Sequence, residues 1–126
     1  MGTAAPARFW HLRPDGRVQC DLCPHHCSLR EGQRGRCIGR VCRDGAITLA
    51  SYGRCGGLAV DPVEKKPLFH FFPGSTVLSF GTAGCNLACR FCQNWDISRA
   101  DGDDTLGVAA APEAIAGQAA RLGCRS

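Results

Sequence analysis

The chain has 126 residues, 44% of them apolar and 21% charged, proportions that suit a globular domain and exclude a disordered tail. Its formal charge is +4, yet Arg13, Arg17, Arg30, Arg34, Arg36, Arg40 and Arg43 are interspersed with apolar, glycine and cysteine residues, so nucleic-acid binding is only weakly signalled. The segment from Met1 to Trp10 lacks the apolar run of a signal peptide, no stretch approaches the roughly 20 apolar residues of a membrane helix, and Pro6 stands where a myristoylation motif needs Ser or Thr. These features point to a cytoplasmic chain with no membrane partner. Ten cysteines then require an explanation, and in a reducing compartment such spacings indicate metal ligation rather than disulfides.

In chain order, residues Arg17 to Cys42 hold five of the cysteines among arginines and glycines with few large apolar side chains, a composition that does not build a conventional core. Cys20, Cys23, Cys27 and Cys37 form C-x2-C-x3-C-x9-C. Four soft ligands suit a tetrahedral zinc or a second [4Fe–4S] cluster, and the metal would supply folding energy. His25 and His26 read as surface or outer residues of that site, since adjacent positions seldom serve one metal. Val41 to Arg43 and Ala46 to Ser51 flank Asp44-Gly45, which predicts two strands joined by a tight hairpin. The expected boundaries are a cysteine-rich metal module over 1–52, a connector over 53–75 and a further unit over 76–126.

The connector carries Pro62, Pro67 and Pro73 with Phe69, Phe71 and Phe72, and reads as extended and proline-broken. Lys65 and Lys66 read as a solvated face or a contact for an acidic partner, and His70 as a packing residue among phenylalanines. Thr76 to Gly81 is β-prone and bounded by glycines, which predicts a buried strand. Ile97 to Gly107, with Asp101, Asp103 and Asp104, reads as a surface loop. Pro112 at a first helical position, Glu113 after it, and Ile115, Ala119 and Leu122 on one side predict a helix ending at Gly123. The expected fold class is therefore α/β: a cysteine-rich module followed by the first β/α unit of a partial (β/α) barrel, with further strands encoded beyond Ser126. Cys42, Cys55 and Cys124 lack a trusted partner and read as small buried hydrophobes.

Between strand and helix lies Gly81-Thr-Ala-Gly-Cys85-Asn-Leu-Ala-Cys89-Arg-Phe-Cys92, three thiols spaced C-x3-C-x2-C. A [4Fe–4S] cube ordinarily takes four cysteines, so three leave one iron open to a small molecule. Gly81 and Gly84 permit close backbone approach. A zinc knuckle completed by a distant Cys or His is the alternative. Phe91, between two ligands, would shield the metal from water, while Asn94 and Trp95 would pack behind the loop.

With Phe91 in its aromatic position, this motif resembles the signature of the radical S-adenosylmethionine superfamily. Asp61-Pro-Val-Glu-Lys-Lys-Pro-Leu-Phe-His70, Phe72-Pro-Gly-Ser75 and Gly84 to Ser98 resemble, more narrowly, the AmmeMemoRadiSam-system radical enzymes, relatives of the pyruvate formate-lyase activating enzymes. The resemblance runs from about Cys20 to the end. It implies a [4Fe–4S] cluster on Cys85, Cys89 and Cys92, S-adenosylmethionine chelated at the open iron near Phe91, Gly84 and Asn94, and reductive cleavage to a 5′-deoxyadenosyl radical that abstracts hydrogen. It further implies an electron donor such as flavodoxin or ferredoxin, a protein or small-molecule substrate, and a glycine-rich cofactor contact encoded beyond Ser126, without which the fragment is inactive. Two other functions compete: a non-catalytic iron–sulfur electron carrier, although the tighter ferredoxin spacing is lacking, and a zinc-stapled binding module.

Overall fold

The hairpin at Asp44-Gly45 forms as its residues dictate. In the computed structural model, which describes residues 5–100 and 107–126, both positions have positive φ, 52° and 69°, the combination whose twist matches paired strands. Strand β5 (Arg40–Arg43) therefore pairs antiparallel with β6 (Ala46–Leu49), from Arg43 opposite Ala46 to Arg40 opposite Leu49. The short β1 (Ala5–Pro6) lies on the other side of β6. A second antiparallel sheet has the order β2 (Trp10–Leu12), β3 (Val18–Cys20), β4 (Ser28–Leu29). The first cysteines occupy the connection from β3 to β4, closed where the Cys20 N–H donates to the Cys27 carbonyl at 2.9 Å.

These two sheets enclose a core of Ala7, Val18, Cys20, Leu29, Cys42 and Ile47, with Trp10, Cys27 and Leu49 against it. The cysteine-rich stretch was expected to lack such a core. Flanking segments complete it: Ala7 and Ile47 come from outside that stretch, and burying a side chain such as Ile47 contributes about 1.5–3 kcal/mol.

The third sheet has the order β8-β7-β9 and is also antiparallel. Its central strand, β7 (Arg54–Pro62), lies in the segment expected to be an extended, proline-broken connector. The apparent breakers sit where a strand tolerates them. Gly57, at φ 63°, lies in a register shift between Gly56 and Ala59, and Pro62 ends the strand, where its missing N–H costs little. A 3₁₀ turn over Val63–Lys65 follows, with Val63 fully buried. Strand β8 (Thr76–Gly81) falls where the sequence placed it, although only Leu78 is buried and Phe80 is half exposed. Strand β9 (Val108–Ala109) pairs with the start of β7.

Helix α1 (Trp95–Ser98) was not foreseen. Helix α2 (Pro112–Arg121) was: Pro112 occupies its first turn, Glu113 is the acidic residue there, and Gly123 follows its end at φ 69°. Ile115 and Ala119 are half-buried, whereas Leu122 is exposed. Beyond α2 the chain returns to β8, where the Arg125 N–H donates to the Thr76 carbonyl and the Leu78 N–H to the Ser126 carbonyl. Asp101, Asp103 and Asp104 of the expected surface loop lie outside the described residues.

The α/β reading, with a first β/α unit of a partial (β/α) barrel, is overturned. Every strand pair in the three sheets is antiparallel, and α1 and α2 are the only α-helices among the described residues. The physical reason is that β8 takes its ladder partner from β7, immediately before it in the chain, and not from a parallel strand. No helix among the described residues is long and apolar enough to cross a membrane.

Candidate metal centre

The three-cysteine loop leaves the end of β8 and is anchored at its first turn. Ala83 is buried, and the Gly84 N–H donates to the Ile97 carbonyl of α1 at 2.9 Å. Gly84 has φ 95°, and a Cβ there would stand 1.9 Å from the Cys37 carbonyl oxygen and 2.5 Å from Ile38 Cγ1. Only glycine fits. The close approach anticipated for a cofactor is here made to Cys37, which packs the loop directly on the four-cysteine segment.

Cys85, Cys89 and Cys92 are half-buried free thiols. Cys85 Sγ accepts the Leu87 N–H at 3.4 Å, Cys92 Sγ lies 3.4 Å from Ser98 Oγ, and the Arg99 guanidinium donates to the Cys89 carbonyl at 3.4 Å. Cys85 and Cys92 open on one cavity of about 530 Å³, and Cys89 is not among its walls. Among the described residues, no three His, Cys, Asp or Glu side chains converge to hold a metal ion. A single tetrahedral zinc would need its sulfurs about 3.8 Å apart, from Zn–S bonds of about 2.3 Å. An iron–sulfur cube takes one thiolate per iron and spreads them farther. Three free thiols on one glycine-led loop supply the ligand type that either centre takes.

The four front cysteines share a second cavity, of about 270 Å³, whose walls include His25 and Asn86. Cys20 is buried at the end of β3, while Cys23, Cys27 and Cys37 are half-buried. A Cβ on Gly35 would lie 3.7 Å from Cys27 Sγ and 3.8 Å from Cys37 Sγ, so these two sulfurs sit on the same side of Gly35. His25 Nε2 is 2.7 Å from the carbonyl oxygen of Asn86, inside the three-cysteine loop. The two cysteine sets therefore meet at two points, Gly84 on Cys37 and His25 on Asn86. His26 instead lies 3.8 Å from Asp21. Asp21 also lies 2.7 Å from His11 Nδ1, and its carboxyl is held below the ordinary value chiefly by that contact.

Other expected residues fall differently. Phe91 is 88% exposed, and Trp95 is 66% exposed rather than packed behind the loop. Asn94 is exposed but lines the 530 Å³ cavity. Cys42 and Cys55 are fully buried, as expected, and burial followed by the charge of Glu31 pushes the Cys42 thiol up. Cys124 is only half-buried, and His70 is exposed together with Phe69, Phe71 and Phe72. Phe71 and Phe72 pack edge to face at 4.6 Å, with Arg125 over the Phe72 ring.

The sequence reading missed the role of Asp61. Lys65 Nζ donates to its Oδ1 at 2.8 Å, while Lys66 Nζ donates at 3.0 Å and Ser79 Oγ at 2.8 Å to its Oδ2. These hydrogen bonds, Lys65 first, hold the carboxyl well below the ordinary carboxylate range. The spacing of four between Asp61 and Lys65 was the available signal; Ser79 arrives only through the pairing of β7 with β8.

Compared with known proteins, the chain is 42% identical over 118 residues to an uncharacterized protein of Methanocaldococcus jannaschii, covering 94% of this chain and 35% of that protein. The chain thus spans about a third of the length of the curated relative it matches. No family model matches it, and neither does any solved structure.

Proposed function

We propose that the chain is part of a radical S-adenosylmethionine enzyme that holds a [4Fe–4S] cluster on Cys85, Cys89 and Cys92. The observation that carries this reading is the set of three free thiols on one loop, with no fourth cysteine at ligand spacing within it, beside a cavity large enough for a small molecule. A cluster so held would have one open iron and, once reduced, would supply the electron that splits S-adenosylmethionine into methionine and a 5′-deoxyadenosyl radical. That radical would take a hydrogen atom from substrate, a protein or a small molecule, leaving 5′-deoxyadenosine. The reductant would be a small electron carrier such as a flavodoxin or ferredoxin.

The residues of the chain have definable parts in this scheme. Gly84 sets the take-off of the loop, and the Arg99 contact fixes the Cys89 backbone. Cys20, Cys23, Cys27 and Cys37 would hold zinc or a second cluster, and a thiol-bound metal there would stiffen the segment on which Gly84 rests.

The test is anaerobic reconstitution with iron and sulfide, followed by electron paramagnetic resonance of the reduced protein. The expected result is a [4Fe–4S] signal that changes when S-adenosylmethionine is added and disappears in Cys89→Ala. A signal indifferent to S-adenosylmethionine would favour an electron carrier. Zinc without iron in anaerobically purified protein would favour a zinc-stapled binding module.

A further inference from the structure

The 530 Å³ cavity is lined by two chemically different sets of side chains. Cys85 and Cys92 are among its walls, and so are Asp61, Lys65 and Lys66. Strand β7 delivers Asp61 immediately before Pro62, and the turn at Val63–Lys65 folds both lysines back over it. The Asp61 side chain is only 11% exposed, whereas Lys65 and Lys66 are 65% and 37% exposed. Each ammonium has three donors. One from each lysine reaches Asp61, which leaves donors on both for a further acceptor.

The charges are unequal. Two cations face one carboxylate, and among the described residues no other charged side chain lines the cavity, so this group carries a net positive charge. Asp61 also holds two long side chains in place before any ligand arrives, which lowers the ordering cost of binding. Other parts of the wall are open. A Cβ on Gly56 or Gly57 would meet nothing within 4 Å, and Phe80, 49% exposed, offers an apolar surface. The volume lies in the usual range for small-molecule sites.

We infer that Lys65 and Lys66 form an oxyanion site, which binds the carboxylate or phosphate of a small molecule whose remainder extends along Phe80 toward Cys85 and Cys92. Only the orientation toward the cysteines rests on the function proposed above; the oxyanion site itself needs no cluster. The anion has two sources, the methionyl carboxylate of S-adenosylmethionine or an acidic group on a second substrate. Arginine in place of lysine keeps the charge, and glutamine removes it.

The experiment is a titration of the complete chain with inorganic phosphate, followed by ³¹P nuclear magnetic resonance, before and after reconstitution with iron and sulfide. Phosphate is expected to bind in both states, about tenfold more weakly in Lys65→Gln and in Lys66→Gln, and with near wild-type affinity in Lys66→Arg. Lys65→Gln alters the more exposed lysine and leaves Asp61 paired with Lys66, so its fold is retained. S-adenosylmethionine titrated into the reconstituted protein separates the sources: weaker binding in Lys65→Gln assigns the site to the methionyl carboxylate, and unchanged binding assigns it to a second substrate. Phosphate binding that is absent, or equal in all variants, overturns the inference whatever the iron content. Failure of the cluster alone leaves phosphate binding intact, which distinguishes it from failure of the oxyanion site.

Discussion

Replacing Gly84 with alanine tests the junction between the two cysteine sets. At φ 95° an L side chain is strained, at about 1–2 kcal/mol for left-handed backbone. The new Cβ would also stand 1.9 Å from the Cys37 carbonyl and 2.5 Å from Ile38 Cγ1. Neither contact is sustainable, and the nearer one is to backbone, so the loop and the four-cysteine segment must move apart at an overpacking cost of about 1–3 kcal/mol. The combined loss of about 2–5 kcal/mol is large beside the 5–15 kcal/mol that holds a typical domain folded. Gly16→Ala supplies the control, because Gly16 has φ 78° with nothing within 4 Å of its Cβ position. Urea unfolding followed by circular dichroism should show a lower midpoint for Gly84→Ala than for Gly16→Ala, with similar slopes. Equal midpoints would refute the close packing of Gly84 on Cys37.

Three further outcomes are expected. Ile47→Ala, at a fully buried core position between the first two sheets, should cost about 2–5 kcal/mol in the same unfolding experiment; a loss below about 1 kcal/mol would mean the core is not packed as described. The lysine contacts hold Asp61 below the ordinary range, so on acidification the unfolded chain takes up this proton first. The stabilisation is full above the unfolded value near pH 3.9 and is lost as pH falls toward the lower folded value. Wild type should therefore lose thermal stability across that window more steeply than Asp61→Asn, and parallel pH profiles would remove Asp61 as the cause. Finally, Cys42 and Cys55 are fully buried while Cys23, Cys89 and Cys92 are half-buried, so timed alkylation of metal-free folded protein read by mass spectrometry should label the first two last. Early labelling of Cys55 would contradict its place in β7.

Features written in neighbouring residues were legible in advance. The Asp44-Gly45 turn requires positive φ at two adjacent positions, and Pro112 with Glu113 opens a helix without reference to anything distant. The bounds of β8 were read for the same reason, whereas Cys42, Cys55 and Cys124 were all read as buried for want of a ligand-spaced partner, and only the first two are. Strand β7 was hidden because Pro62, Pro67 and Pro73 made the whole segment read as a connector, and Gly56 and Gly57 offer no strand signal of their own. In the sheet, the two glycines accompany a register shift and Pro62 ends the ladder.

The amino-acid order by itself determined the spacing of the thiols, the hairpin and the second helix, because each depends on bonds spanning a few residues. The antiparallel pairing of β7 with β8, the contact of Gly84 with Cys37 and the gathering of Asp61, Lys65, Lys66 and Ser79 at one cavity were decided only in the tertiary structure. Pairing partners and their direction are settled by competition among distant ladders and by side-chain packing, and a spacing along the chain carries no record of that competition.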